Sequence, residues 1–122
     1  MTLTSAQHLL DQLLTEDLSG VTFVRDYLQL QFNPPPIINV YSKCSVSSGG
    51  IRVQFGYPAF ANAVIAQIGK QVRSVSQSPN DMLVIEFMDG SAIEIPFGKG
   101  TFVGPEAFEF WGRDNKWGVW PV

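Results

Sequence analysis

The side chains best suited to chemistry in this chain are three glutamates at outward positions of predicted strands. They are Glu86 in "LVIEF", Glu94 in "AIEIP" and Glu109 in "AFEF". Apolar residues alternate around each of them, which is typical of a strand with one buried face. Carboxylates on neighbouring strands can attract a basic partner, bind a cation through oxygen, or split their pKa values and act as acid and base.

These glutamates are predicted to share one face of a sheet. A three-residue turn over residues 89–91 would set Glu86 directly opposite Glu94, with Glu109 nearby on another strand. Directly opposed like charges destabilise a sheet, so the pattern favours an acidic patch that receives lysine or arginine from another protein. A weak oxygen-ligand metal site and a solvated face that only keeps the protein soluble are the alternatives.

Two further groups of residues are candidates for recognising a partner. Arg25 and Asp26 are predicted to form a tight hairpin turn beside Tyr27, where they either satisfy the turn backbone or make a recognition tip. A second turn, over residues 114–115, would bring together three tryptophans near the C-terminus, Trp111, Trp117 and Trp120. Large aromatic side chains dominate binding energetics, although they would seal a small core equally well.

No pattern in the sequence specifies a reaction. His8 is the only histidine, and without a second one an ordinary zinc site cannot form. Cys44 is the only cysteine, and it lies in "SKCSVSSGG", a predicted loop that lacks phosphate-binding spacing. We therefore predict no catalytic residue, no metal, no cofactor and no internal disulfide.

Composition and charge indicate an ordinary globular protein. The 122 residues are 45% hydrophobic and 16% charged, whereas disordered chains show the opposite balance. A net charge of -3 argues against a nucleic-acid partner, whose phosphates require lysine and arginine. The N-terminal stretch lacks a basic leader, and no apolar stretch approaches the roughly 20 residues of a membrane span. We expect a cytoplasmic protein that binds neither nucleic acid nor membrane.

The elements that must position these residues are predicted to occur twice. A shift of 55 residues aligns Leu28 with Leu83 and Ile38 with Ile93, and upstream a shift of 51 residues aligns Leu13 with Val64. Each half is predicted to be a helix followed by antiparallel strands. The predicted strands lie at residues 27–32, 37–41 and 51–55, and at residues 83–87, 92–96 and 107–110.

The predicted fold class is α+β, built from an internally duplicated helix-plus-meander unit (αβββ/αβββ) with pseudo-twofold symmetry and an extra C-terminal strand. One domain would contain repeats at about residues 4–56 and 57–112, followed by the last strand within residues 113–122. The first helix is predicted to bury leucines 9, 10, 13 and 14. The second is predicted to begin at Pro58 and to bury Ala61, Val64, Ile65 and Ile68.

Several stretches of the sequence resemble a group of small bacterial proteins of no known activity. They are "TLTSAQHLL", "FVRDYLQLQF", "AVIAQIGKQV", "LVIEFMDGSAIEIP" and "VGPEAFEF", which together span most of the chain. The resemblance implies a bacterial source. It implies no activity, cofactor or site residue.

The function predicted first is a non-catalytic protein-interaction module. It would be an immunity-type protein that caps a basic toxin with its acidic half, or a homodimer joined through a sheet surface. The alternative is a small-molecule-binding domain with a pocket between helices and sheet. A hydrolase-type enzyme with Glu86, Glu94 or Asp26 as general base comes last, because such chemistry needs a concave, partly dry site.

Overall fold

The computed structural model describes residues 3–78, 81–98 and 105–121, which contain two helices and ten strands. A 3-10 helix (Asp11–Leu13) continues the first helix. The elements in chain order are α1 (Leu3–Leu10), β1 (Gly20–Val24), β2 (Tyr27–Gln31), β3 (Ile37–Val40), β4 (Ser45–Ser48), β5 (Ile51–Gln54), α2 (Phe60–Ile65), β6 (Val72–Ser78), β7 (Met82–Phe87), β8 (Ala92–Pro96), β9 (Glu106–Trp111) and β10 (Trp117–Pro121).

The strands form two five-stranded antiparallel sheets, which confirms the predicted α+β class. The first sheet has the order β1-β2-β3-β9-β10, and the second has the order β5-β4-β8-β7-β6. The chain passes from the first sheet to the second between Val40 and Ser45, and it returns between Pro96 and Glu106. Each sheet therefore contains strands from both halves of the chain. The first combines β1–β3 with β9 and β10, and the second combines β4 and β5 with β6–β8.

The predicted count of three strands after each helix is wrong, because five described strands follow each helix. The clearest miss is β4, which was predicted to be part of a loop. Val46 is its one large apolar residue, yet the strand pairs with β8 on one side and β5 on the other. Backbone pairing to two neighbours thus overrides the weak strand preference of its serines.

The β7–β8 hairpin has a different register from the predicted one. Ile85, rather than Phe87, pairs with Ile93. The loop has the predicted three residues, but it begins at Met88 and ends at Gly90, whose φ is 89°. A three-residue hairpin loop commonly needs the left-handed conformation at its last position, which glycine adopts at no steric cost. Because Gly90 occupies the last position of the loop and not the middle one, each residue of β7 pairs with a residue of β8 that lies two positions earlier than predicted.

One core lies between the two sheets. Alternate residues of the strands face it, and its largest fully buried side chains include four phenylalanines, Phe32, Phe87, Phe108 and Phe110. This pattern follows from the period of two along a strand, which directs every second side chain to the same face. The opposite positions of each strand face outward and are available for function.

The two helices pack beside the sheets, at the edge strands and, for α2, also at β4. The α1 helix contacts β10 and β6, whereas α2 contacts β1, β4 and β5. The predicted core face of the first helix is confirmed at Leu9, Leu10 and Leu13, while Leu14 is 38% exposed. The second helix buries Phe60 and Val64, so the predicted burial of Ala61, Ile65 and Ile68 is wrong. No helix in the described chain is long and apolar enough to cross a membrane.

Candidate functional site

The three glutamates do not form the predicted acidic patch. Glu86 pairs with Ala92 instead of Glu94, because the register of the β7–β8 hairpin differs from the predicted one. Glu94 lies between β7 and β4 in the second sheet. Glu109 lies in β9 of the first sheet, so it is in a different sheet from the other two. The arrangement that motivated an acidic patch is therefore absent among these residues.

The two glutamates of the second sheet each have an arginine partner within the chain. Arg73 Nη2 lies 2.9 Å from Glu86 Oε1, and Arg52 Nε lies 3.0 Å from Glu94 Oε1. These arginine side chains are about half exposed, so each ion pair contributes little stability. Their effect on recognition is larger, because they neutralise the two carboxylates that were predicted to attract a basic partner.

Glu109 is the last member of a row of hydrogen-bonded polar side chains on the outer surface of the first sheet. Gln31 Nε2 donates to Gln29 Oε1 at 2.8 Å, and Gln29 Nε2 donates to Asn39 Oδ1 at 3.0 Å. Asn39 Nδ2 donates to Glu109 Oε1 at 3.4 Å, and the Tyr41 hydroxyl donates to the same oxygen at 2.6 Å. The row crosses β2, β3 and β9, and it ends on a carboxylate.

Aromatic pairs lie on both sides of this row. Trp111 and Trp117 are cross-strand partners with ring centroids 5.5 Å apart in a stacked arrangement, and they are 43% and 55% exposed. Tyr27 and Tyr41 form a tilted pair with centroids 5.2 Å apart. We call this outer surface of the first sheet the amide face and define it by Thr22, Tyr27, Gln29, Gln31, Ile37, Asn39, Tyr41, Glu109, Trp111, Trp117 and Val119.

The electrostatics of the amide face centre on Glu109. Burial, followed by the hydrogen bond to the Glu109 carboxylate, raises the pKa of Tyr41 well above its ordinary value. The charge of Glu106 acts on the tyrosine in the same direction. Tyr41 therefore remains a neutral donor over the physiological range. Among the described residues Glu109 has no lysine or arginine partner, unlike the glutamates of the second sheet.

The other predicted recognition residues lie in different places. The tight turn of Arg25 and Asp26 is confirmed by the pairing of Val24 with Tyr27, and it lies at one end of the amide face. Trp120 faces the core instead, stacked on Phe108 with ring centroids 4.5 Å apart. The strand period separates it from Trp111 and Trp117, because only the latter two occupy outward positions.

The residues that sequence reasoning missed are the amides of the first sheet and Tyr41. Their signal was present in the polar positions of "YLQLQ" and "IINVY", which alternate with buried apolar residues. Finding that these polar side chains lie beside Glu109 requires the pairing of β3 with β9, which are far apart in sequence.

A serine, a lysine and an aspartate also lie together at the β7–β8 loop. Lys70 Nζ lies 2.7 Å from Asp89 Oδ2 and 3.2 Å from Ser91 Oγ, and the Ser91 hydroxyl lies 2.7 Å from Gln67 Oε1. The Lys70 ammonium and hydrogen bonds from Ser91 hold the pKa of Asp89 well below its usual range. Ser91 is buried and fully engaged, so this cluster joins the segment after α2 to the loop and offers no accessible nucleophile.

Cys44 is fully buried in the core, and burial raises the pKa of its thiol to about 12. A thiol ordinarily ionises near pH 8.5, so the unfolded chain loses this proton at lower pH than the folded one. The stabilising effect is complete below about pH 8.5 and is lost as pH rises toward 12. A reactive thiolate at neutral pH is not expected from this position.

We therefore expect wild-type protein to lose about 2 kcal/mol more unfolding free energy than Cys44→Ala between about pH 8 and pH 10. Urea unfolding at both pH values measures the difference. The variant contains the same tyrosines and lysines as the wild type. The difference between the two proteins in pH-dependent unfolding free energy therefore reports the ionisation of Cys44. Equal losses in the two proteins would show that the thiol does not remain protonated in the fold.

Two concave regions lie near β5 and α2. An open groove of about 600 Å³ is lined by residues that include Arg52, Gln54 and Tyr57. A smaller pocket of about 240 Å³ lies between α2 and the β4–β5 hairpin, with Ala63 and Lys70 in its lining. The smaller pocket has the location predicted for a small-molecule site between helix and sheet. Its volume is below the range typical of drug-sized ligands.

Within residues 3–78, 81–98 and 105–121, no group of three or more histidine, cysteine, aspartate or glutamate side chains is arranged to hold a metal ion. The amide face is the place where the described residues combine exposed aromatic rings, ordered polar groups and an unneutralised charge. A comparison of the chain with family models, curated proteins and solved structures found no match.

Proposed function

We propose that this chain is a non-catalytic protein-interaction module that binds its partner through the amide face. The observation that carries the proposal is the exposed, stacked pair of Trp111 and Trp117 beside an ordered polar row. Tryptophan is enriched among the residues that dominate binding energy, and this pair buries large apolar area only when a partner covers it. The immunity-type and homodimeric versions of the proposal differ only in the identity of that partner.

The outer face of the second sheet provides an internal comparison. In the first sheet, Ile37 pairs with Trp111, which pairs with Trp117. The strands β8, β4 and β5 of the second sheet correspond to β3, β9 and β10 of the first. In this second set Ala92 pairs with Ser47, which pairs with Arg52. These side chains are small or already engaged in an ion pair. Similar strand arrangements thus present different chemistry, and the aromatic anchor belongs to the first sheet.

We infer that the chain consists of two copies of one unit, each with a helix and five strands, whose last hairpins are exchanged between the sheets. The β4–β5 hairpin joins the second sheet and β9–β10 joins the first. The pairings of Leu30 with Ile38 and of Ile85 with Ile93 preserve the predicted shift of 55 residues. On this inference β10 is the counterpart of β5 and not an extra strand.

The segments that precede β1 and β6 are joined by an isolated antiparallel bridge between Asp17 and Gln71. Leu18 N–H donates to the Lys70 carbonyl, and Val72 N–H donates to the Glu16 carbonyl. These are the two hydrogen bonds that an antiparallel bridge makes, so the contact joins the two segments without adding support for the duplication. A duplication leaves one sheet face free to diverge into a binding surface while the other keeps its paired charges.

The proposal predicts that Trp111→Ser combined with Trp117→Ser abolishes partner capture. Tagged wild-type protein and the double variant would be used to capture partners from native lysate, with mass spectrometry as the readout. A protein retained by the wild type should fall at least tenfold with the double variant, since two exposed aromatic anchors are lost. Urea unfolding should show only a modest change, because both rings lie on the outer surface of the sheet and are about half exposed.

Tyr57→Ser is the matched control. Tyr57 is 64% exposed and lines the groove beside β5, away from the amide face. Capture that survives Tyr57→Ser but not the double tryptophan variant supports the amide face. The reverse pattern would contradict the proposal and favour the groove. Concentration-dependent dimerisation that is lost in the double variant would identify a second copy of the chain as the partner.

A further inference from the structure

We propose that the partner's central contact is an arginine side chain, whose guanidinium binds the Glu109 carboxylate beside the rings of Tyr41, Trp111 and Trp117. This inference rests on the proposed function and specifies the chemistry of the partner. It goes beyond the original acidic patch, since a single carboxylate with aromatic neighbours replaces three clustered ones. Hydrogen bonds from Asn39 and Tyr41 hold the Glu109 carboxylate in place before the partner binds.

The hydrogen bonds of Glu109 leave one carboxylate oxygen for a partner. Both bonds from the described residues, from Tyr41 and from Asn39, end on Oε1. The second oxygen, Oε2, receives no hydrogen bond from the described part of the chain. Because Oε1 is held by two donors, the orientation of the carboxylate is fixed and less conformational freedom is lost on binding.

The charge of Glu109 is also unmatched inside the chain. Arg52, Arg73 and Arg113 lie within ion-pair distance of other glutamates, and Lys70 pairs with an aspartate. No such cation pairs with Glu109 in the described residues. The chain as a whole has a net charge of -3. Charge complementarity at an interface therefore requires a basic group on the partner.

The surroundings of Glu109 favour a cation that tolerates loss of water. Trp111 lies two residues along β9 on the same face, and Val119 is the direct cross-strand neighbour. Trp117 is diagonal to Glu109 on the neighbouring strand, and Tyr41 contacts the carboxylate itself. A cation in this position gains attraction from the carboxylate and from the π faces of the rings. Aromatic neighbours also limit the access of water, which strengthens the ion pair.

Arginine fits these features better than lysine does. Its guanidinium is planar, so it can stack on an indole ring while its edge donates hydrogen bonds to a carboxylate. It is also more weakly hydrated than an ammonium group and therefore costs less to bury at an interface. Arginine is enriched among the residues that dominate binding energy, and such residues tend to pair with one another across interfaces.

The test uses the peptide acetyl-Gly-Arg-Gly-amide as a probe and the indole N–H signals of the three tryptophans as reporters. Titration should give saturable shifts at Trp111 and Trp117, whereas the buried Trp120, whose Nε1 donates to Gln77, should not respond. The citrulline peptide has nearly the same shape without the charge. It should bind at least fivefold more weakly, as should the arginine peptide to Glu109→Gln.

Glu94→Gln is the matched control for the loss of one carboxylate, because Glu94 already pairs with Arg52 in the other sheet. It should leave binding of the arginine peptide unchanged. Equal binding of the arginine and citrulline peptides, or full binding to Glu109→Gln, would overturn the arginine inference. Absence of saturable shifts at high peptide concentration would overturn it as well.

The outcomes separate this inference from the proposed function. Capture that needs the tryptophans but survives Glu109→Gln would keep the amide face as an interface and remove arginine as its anchor. Peptide binding that needs Glu109, with no protein lost from capture in the tryptophan variant, would keep the arginine site and remove the protein-interaction function. Agreement of both experiments would support a basic partner anchored at Glu109.

Discussion

The Phe108→Ala variant is expected to lose about 3–5 kcal/mol of unfolding free energy. Phe108 is fully buried, stacks on Trp120 with centroids 4.5 Å apart and meets Phe97 edge to face at 5.9 Å. Its removal therefore deletes burial and leaves a cavity at the place where β9 joins the first sheet. A domain of this size commonly has only about 5–15 kcal/mol of stability in total.

Urea unfolding followed by circular dichroism measures this effect, and the fluorescence of Trp120 should change with the loss of its stacking partner. Phe108→Leu gives a second, milder test in case the alanine variant does not fold, with an expected loss of about 1–2 kcal/mol. Phe23→Ala is the matched control, because Phe23 is 46% exposed and should lose much less. A loss below about 1 kcal/mol for Phe108→Ala would contradict the described packing.

Local pattern was sufficient for the parts of the fold in which neighbouring residues decide the outcome. Alternation identified β2, β3, β7 and β8, because each has one buried face and polar residues on the other. The turn at Arg25 and Asp26 and the leucine stripe of α1 were likewise predictable. In these elements propensity, burial and turn length all favour the same structure.

Local pattern failed where a distant strand decides the outcome. Ser45 is 2% exposed in β4 because β5 and β8 pair on its two sides and cover the strand, a fact that its own sequence does not contain. The register of the β7–β8 hairpin depends on one backbone conformation at Gly90. A register shift of this kind changes which side chains are neighbours without changing which face is buried.

The candidate site was predictable as a list of residues but not as an arrangement. Tyr27, Glu109, Trp111 and Trp117 were all identified from the sequence, and they share the amide face. Their grouping depends on the crossing of β9 into the first sheet. Glu86 and Glu94 remain in the second sheet with their arginines. The sheet that each strand joins therefore determines which of these carboxylates lie beside an arginine among the described residues.

Two buried serines should respond in opposite directions to the same substitution, because one hydroxyl is fully hydrogen-bonded and the other is not. Ser91 contacts Gln67, Lys70 and Asp89, whereas the buried Ser42 hydroxyl has no hydrogen-bond partner among the residues that the structure describes. Ser91→Ala removes a buried hydroxyl that lies within hydrogen-bond distance of Gln67 Oε1, Lys70 Nζ and Asp89 Oδ1, and it should cost about 1–3 kcal/mol of stability.

Ser42→Ala, in contrast, removes a hydroxyl that forms no hydrogen bond with the described residues of the folded protein but is solvated in the unfolded chain. It should raise the unfolding free energy by about 1 kcal/mol, since burying an unpaired hydroxyl carries a cost of that order or more. Urea unfolding of the two variants beside wild type gives the comparison, and both substitutions change volume equally. A loss for Ser42→Ala as large as that for Ser91→Ala would mean that the Ser42 hydroxyl has a partner, and it would contradict the structure at the passage from β3 to β4.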